Sequence, residues 1–159
     1  MNPSETDILL VEDSADDAEL AIHVLRHERL ANNIFVAKDG EEALDFIFCR
    51  GPFAHRSFDC PPKLILLDLK LPKADGVEVL TQIKNDRRTR TIPVVIMTSS
   101  REETDLARSY ELGANSYIQK PVDFEQFRQK VKTAGLYWMV VNQWPTIEEA
   151  EKPAGQGLL

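Results

Sequence analysis

The chain has 159 residues, 43% hydrophobic and 28% charged, with a formal net charge of −7 at pH 7. That length suits one domain with a core of its own, and so acidic a balance argues against a nucleic-acid-binding face. No apolar stretch is long enough to span a bilayer, and Met1-Asn2-Pro3-Ser4-Glu5 has neither the basic region nor the apolar core of a secretory signal. Cys49 and Cys60 suit a reduced, cytoplasmic interior better than a disulfide framework. His23, His27 and His55 show no metal-ligand spacing with them.

Asp7-Ile8-Leu9-Leu10-Val11, ending at Glu12-Asp13, predicts the first strand. Ser14 with Asp17 three residues on is a capping-box signature, and Ala18, Ala21, Ile22 and Leu25 then recur at helical spacing to about Glu28. Asn33-Ile34-Phe35-Val36-Ala37 predicts a second strand. Asp39 with Glu42 opens a second helix carrying Ala43, Leu44, Ile47 and Phe48. From Cys49 to Pro62 the periodicity disappears. Gly51, Pro52, Pro61 and Pro62 punctuate a loop that holds Arg50, His55 and Arg56. It is longer than a usual helix-to-strand connection, and reads either as a recognition element or as a disordered insertion.

Leu64-Ile65-Leu66-Leu67-Asp68-Leu69-Lys70-Leu71-Pro72 is an apolar run of the kind buried on both faces of a sheet, with Asp68 where the strand should end. Asp75 caps a third helix whose apolar face is Val77, Leu80 and Ile83. Ile92-Pro93-Val94-Val95-Ile96-Met97 predicts the fourth strand, ending at Thr98. Ser100 with Glu103 repeats the capping box, and Gly113 stops the fourth helix. Ser116-Tyr117-Ile118-Gln119 predicts the fifth strand, ending at Lys120-Pro121, and a last helix starts near Asp123. The stretch from Glu148 to Leu159 reads as a frayed tail.

Strands alternating with helices predict an α/β protein: a flavodoxin-like, doubly wound, five-stranded parallel sheet of order 2-1-3-4-5 with five helices. In that order the carboxyl ends of the strands bring Glu12, Asp13, Asp68, Thr98 and Lys120 to one crevice. Three carboxylates there repel one another unless a counter-charge is present. Oxygen donors without His or Cys favour Mg²⁺ or Mn²⁺ over Zn²⁺. Lys120 can orient an incoming anion, the Thr98 hydroxyl can donate to a phosphoryl oxygen, and a carboxylate can itself accept a phosphoryl group. Each residue also has a plainer reading: solvated turn residues for Glu12 and Asp13, caps for Asp68 and Thr98, a surface charge for Lys120.

Val11-Glu12-Asp13, Leu66-Leu67-Asp68-Leu69-Lys70-Leu71-Pro72, Asp75-Gly76, Met97-Thr98-Ser99 and Lys120-Pro121, in this order, resemble the receiver domain of two-component response regulators. The resemblance spans about residues 5–135. It implies that Asp68 is the phosphoacceptor, taking the group from a phosphohistidine on a sensor histidine kinase. It implies Mg²⁺ held by Asp13, Asp68 and the backbone carbonyl of Lys70, with Glu12 acting through water, and a phosphoryl group stabilised by Lys120 and Thr98. A cis peptide between Lys120 and Pro121 is implied too. Thr98 and Tyr117 would form the switch, though Tyr117 also reads as an ordinary aromatic on an edge strand. Lys70 and Ser100 occupy the positions that tune access of the hydrolysing water.

In the last helix Phe124, Phe127, Val131, Ala134, Trp138 and Val141 follow a 3-4-3-4-3 spacing, read as core packing over its first half. Beyond Ala134 the chain turns apolar all round, through Leu136, Tyr137, Trp138, Met139, Val140 and Val141 to Trp144. Such a surface marks an interface. The expectation is a homodimer through Tyr137, Trp138, Val141 and Trp144. The chain thus divides into a receiver (5–135), an apolar helical extension (136–147) and a flexible tail (148–159). No room is left for a DNA-binding or enzymatic output domain, so the signal is expected to leave through protein contacts, with no enzymatic activity beyond the chain's own phosphorylation and dephosphorylation. The long loop and Asn142-Gln143-Trp144-Pro145 resemble, more narrowly, the small stand-alone receivers paired with phytochrome-type histidine kinases. That implies a bacteriophytochrome upstream, and a further phosphotransfer protein or dimer exchange downstream. Three alternatives stand beside this reading. An aspartyl-phosphate phosphatase would usually carry a second aspartate where Lys70 stands. A flavodoxin would need hydroxyls and amides where Glu12-Asp13-Ser14-Ala15-Asp16-Asp17 is acidic. A receiver-fold adaptor without phosphorylation would not need the acidic pocket.

Overall fold

A computed structural model of the chain describes residues 6–99, 103–120 and 123–143. In chain order it contains β1 (Ile8–Val11), α1 (Ala15–His27), β2 (Ile34–Ala37), α2 (Gly40–Ile47), a 3₁₀ turn (Gly51–Phe53), β3 (Leu64–Leu67), α3 (Gly76–Asn85), β4 (Val94–Thr98), α4 (Glu103–Glu111), β5 (Ser116–Gln119), α5 (Phe124–Leu136) and a π-helical turn (Tyr137–Val141). The strands form one sheet in the order β2-β1-β3-β4-β5, every pair parallel. The expected topology is therefore the observed one.

Because side chains alternate across a strand, β1 feeds two cores. Leu9 and Val11 pack with Ile65, Leu67, Val94 and Ile96 against α2 and α3. Ile8 and Leu10 pack with Leu64, Leu66, Val95 and Met97 against α1 and α5. The central strands β1, β3 and β4 are buried along their whole length, which explains their unbroken apolar sequences, while β5 at the edge is half-buried throughout. Ser14, Asp39, Asp75 and Asp123 each accept a backbone N–H from the residue three places on, so the helix starts lie where the capping signals put them. The cap Ser100 lies outside the described residues.

The Cys49–Pro62 segment is packed. Phe53 meets Phe35 and Phe46 edge-on at 5.3 and 5.2 Å between ring centroids. The buried Arg56 guanidinium lies 3.7 Å over the Phe46 ring and donates to the carbonyls of Phe46 and Cys60. Arg88, from the loop after α3, lies 4.1 Å over the Phe58 ring. Of the two readings of this loop, the structure rules out the disordered insertion.

At the other end of the chain α5 runs directly into the π-helical turn. This turn is not apolar and exposed all round. Trp138 and Met139 pack on the α1–α5 core, whereas Leu136, Tyr137, Val140 and Val141 are exposed. Trp144 lies outside the described residues. Among the described residues no helix is long and apolar enough to cross a membrane.

Candidate functional site

The parallel register brings the carboxyl ends of β1, β3 and β4 side by side. Glu12 and Asp13 follow β1, Asp68 follows β3, Thr98 closes β4, and Lys120 follows β5. The backbone holds these ends together: the Asp68 N–H donates to the Val11 carbonyl at 3.1 Å, and the Lys120 N–H to the Thr98 carbonyl at 2.7 Å. Gly76 is needed for this closeness, because a Cβ there would run into the backbone carbonyl of Asp68.

One carboxylate oxygen each from Glu12, Asp13 and Asp68 lie within 4.8 Å of one another. Glu12 and Asp68 are buried and Asp13 is exposed, so the cluster opens to solvent on one side. Beside it lies a cleft of about 700 Å³ lined by Asp13, Lys70, Pro72, Asp75, Glu78 and Arg108, among others. The Asp68 carboxylate accepts the Lys70 backbone N–H at 3.1 Å, and Glu12 accepts the Ser14 N–H at 3.1 Å.

Lys120 is the counter-charge. Its Nζ donates to Glu12 Oε2 at 2.5 Å, to Asp17 Oδ2 at 3.0 Å and to Asp68 Oδ2 at 3.1 Å. Burial by itself would pull this ammonium towards neutrality; the bond to Glu12 and the charge of Asp68 outweigh it, and the group is held above its ordinary range. Burial also pushes the Glu12 carboxyl up to about 7, against the pull of Lys120. The cluster carries more negative charge than one lysine neutralises, and its donor set is all oxygen. These residues therefore fit a hard divalent cation.

Glu12, Asp13, Asp68 and Lys120 are thus brought together as the sequence suggested. Thr98 is fully buried at the end of β4. Tyr117 is half-buried and packs against the α2–α3 core. Pro121, and with it the peptide bond to Lys120, lies outside the described residues. Two participants were missed. Asp17 reads in sequence as a capping-box residue, and its N–H does bond Ser14 Oγ at 3.3 Å, but its carboxylate turns to Lys120. Its position one turn on from Asp13 was the available signal. Arg108 reaches the cleft from α4, and nothing in its local sequence marks it.

A doubly wound sheet whose crevice gathers three carboxylates and a lysine at the strand ends defines an α/β module built to handle a cation and an anionic group together. The chain belongs to the response regulator receiver domain family, whose model matches residues 8–132. It is 41% identical over 87% of its length, and 86% of the relative's, to the probable methanogenesis regulatory protein FilR2 of Methanothrix harundinacea. It is 38% identical over 87% of its length, and 91% of the relative's, to response regulator Rcp1 of Synechocystis. The Mn²⁺-bound form of Rcp1 superposes with a TM-score of 0.81 at 37% identity, over 87% of this chain and 98% of that one. The phosphorylated cyanobacterial phytochrome response regulator RcpA superposes at 0.83 with 37% identity, over 89% and 99%. The bacteriophytochrome response regulator AtBRR superposes at 0.68 with 48% identity, over 87% and 99%. The chain is therefore a receiver domain similar to stand-alone phytochrome response regulators.

Proposed function

We propose that this chain is a phosphorylation-dependent signalling module in which Asp68 accepts a phosphoryl group from the phosphohistidine of a sensor histidine kinase of phytochrome type, a bacteriophytochrome. The observation that carries the reading is the Asp68 carboxylate itself. It is nearly buried at a strand end, 3.1 Å from the Lys120 ammonium and beside two further carboxylates. In the transfer an Asp68 oxygen attacks phosphorus, the P–N bond of the donor breaks, and its electron pair returns to the imidazole. Catalysis of such a step is mostly positioning and charge stabilisation.

Asp13, Asp68 and the backbone carbonyl of Lys70 would hold Mg²⁺, or Mn²⁺ as in the Rcp1 crystal, with Glu12 assisting through water. The bound ion supplies neutralisation of the phosphoryl oxygens. Lys120 holds one of those oxygens, and the Thr98 hydroxyl donates to another. Movement of Thr98 draws the Tyr117 ring inward, a local charge change biasing a two-state element. A cis peptide between Lys120 and Pro121 belongs to the same reading. The receiver proper spans 5–135. The apolar end of α5 and its continuation (136–147) pair two copies through Tyr137, Val141 and Trp144, while Trp138 supports that surface from the core side; residues 148–159 form the tail. The module works in the cytoplasm and passes its signal by protein contact, to a phosphotransfer protein or by exchange of dimers. Its only chemistry is its own phosphorylation and dephosphorylation.

The test is intact mass after incubation with Mg²⁺ and acetyl phosphate. One added phosphoryl group, lost in Asp68→Asn and without Mg²⁺, supports the reading. An unmodified native chain, with transfer from a phytochrome-type kinase also failing, leaves only a non-phosphorylated adaptor.

A further inference from the structure

We infer that Asp17 is a latch for Lys120: it holds the third ammonium proton in the resting chain and yields it to the arriving phosphoryl group. This makes Asp17 a positioning residue that governs how readily the pocket takes up the group and how long it keeps it. The inference rests on the reading of Asp68 as phosphoacceptor.

An ammonium has three N–H donors and no more. In the resting chain they go to Glu12, Asp17 and Asp68, at 2.5, 3.0 and 3.1 Å. Lys120 is saturated, so a phosphoryl oxygen can bond to it only when one carboxylate lets go. The three carboxylates differ in what they lose by doing so. The Glu12 and Asp68 side chains are 5% and 7% exposed, while that of Asp17 is 42% exposed. Until a cation binds, parting from the ammonium would strand either of the first two as a buried, unpaired charge, which is costly. Asp17 exchanges the ammonium for water, which reaches its half-exposed carboxylate.

Asp17 is also mounted to swing without disturbing the pocket. Its backbone is fixed in the first turn of α1 by its N–H to Ser14 Oγ. Its side chain alone has to move.

The neighbouring residue supplies the control. Asp16 is exposed in the same helical turn and carries the same charge, but does not take part in the Lys120 cluster. Asp16→Ala therefore measures what removal of one negative charge does by itself. Phosphorylation by acetyl phosphate with Mg²⁺, below donor saturation, is expected to be about fivefold faster in Asp17→Ala, and hydrolysis of the product about fivefold slower. Asp16→Ala should stay close to the native chain in both. Asp17→Asn keeps an acceptor oxygen and the helix but weakens the bond, and should fall between. In a spectrum of the ¹³C-labelled native chain, the Asp17 carboxyl resonance should shift when beryllofluoride and Mg²⁺ are added, and the Asp16 resonance should not. Equal rates for the Asp17 and Asp16 variants, or a stationary Asp17 resonance, would overturn the latch while leaving Asp68 as the acceptor. A native chain that takes up no phosphoryl group would overturn both.

Discussion

Lys120 is the residue on which the pocket's charge balance turns. Lys120→Ala leaves Glu12 and Asp68 buried without their partner. Removal of one member of such a group destabilises by about 3 kcal/mol, and loss of a positioned charge slows transfer by about 10²-fold or more. The expected outcome is a lower urea midpoint together with a slower mass gain from acetyl phosphate. An unchanged rate in a folded variant would remove Lys120 from the mechanism. A second lysine separates stability from function. Lys84 donates to the carbonyls of Arg90 and Ile92 and to Asn115 Oδ1 at 3.0, 2.8 and 3.1 Å, and burial lowers it from 10.5 to about 8. Between those two pH values the unfolded chain holds a proton that the folded chain has released, so stability should rise with pH across that window. Below about pH 8 the ammonium is charged in both states and the slope vanishes. Lys84→Met should flatten the rise, read as urea midpoint against pH, by about 1 kcal/mol over the window after allowance for partial exposure.

Among the elements, α3 and the Cys49–Pro62 loop show what local sequence does and does not reveal. The Asp75-Gly76 pair announces the start of α3, because a cap followed by glycine is a local signal. The reason for the glycine, the Asp68 carbonyl pressed against it, is a contact between elements. Gly76→Ala should lower stability by about 2 kcal/mol and slow phosphoryl uptake as well, since Asp68 must shift. A variant that loses stability but keeps the native rate would show that the pocket tolerates the shift. The strands and helices were legible because alternation, apolar runs and caps are all short-range patterns. The loop was not, because Arg56 and Phe53 find Phe46 and Phe35 only in the folded chain. Asp17 escaped notice for a related reason: its backbone performs the capping that the sequence announces, and only the fold brings Lys120 to its side chain. The loop leads into the amino end of β3, the pole opposite the acidic pocket. Arg56→Ala should therefore speed proteolytic cleavage within residues 49–62 while leaving phosphoryl uptake unchanged.

For the molecule as a whole the apolar end of α5 carries the proposed assembly. Local apolarity could not tell which side chains of 136–141 face the core. Trp138 and Met139 turn inward, and Leu136, Tyr137, Val140 and Val141 outward. The outward set carries the proposed dimer. Tyr137→Lys with Val141→Lys should shift the mass by light scattering from two chains to one without changing the circular dichroism. Trp138→Ala should instead lower stability, by about 1.5 kcal/mol for a ring that is only partly buried, read as a lower unfolding midpoint. A native chain that is already monomeric at tens of micromolar would contradict the dimer and leave the pocket untouched.

Among the carboxylates gathered at the strand ends, Asp68 is the proposed site of phosphorylation. Borohydride reduces an aspartyl phosphate to homoserine and leaves free carboxylates alone, so it marks the acceptor by mass. After phosphorylation, reduction and cleavage at Lys63 and Lys70, the peptide 64–70 should carry homoserine at position 68, and peptides containing Glu12, Asp13 and Asp17 should be unchanged. Homoserine at position 13 or elsewhere, with Asp68 intact, would place the phosphoryl group on another carboxylate and remove Asp68 as the acceptor.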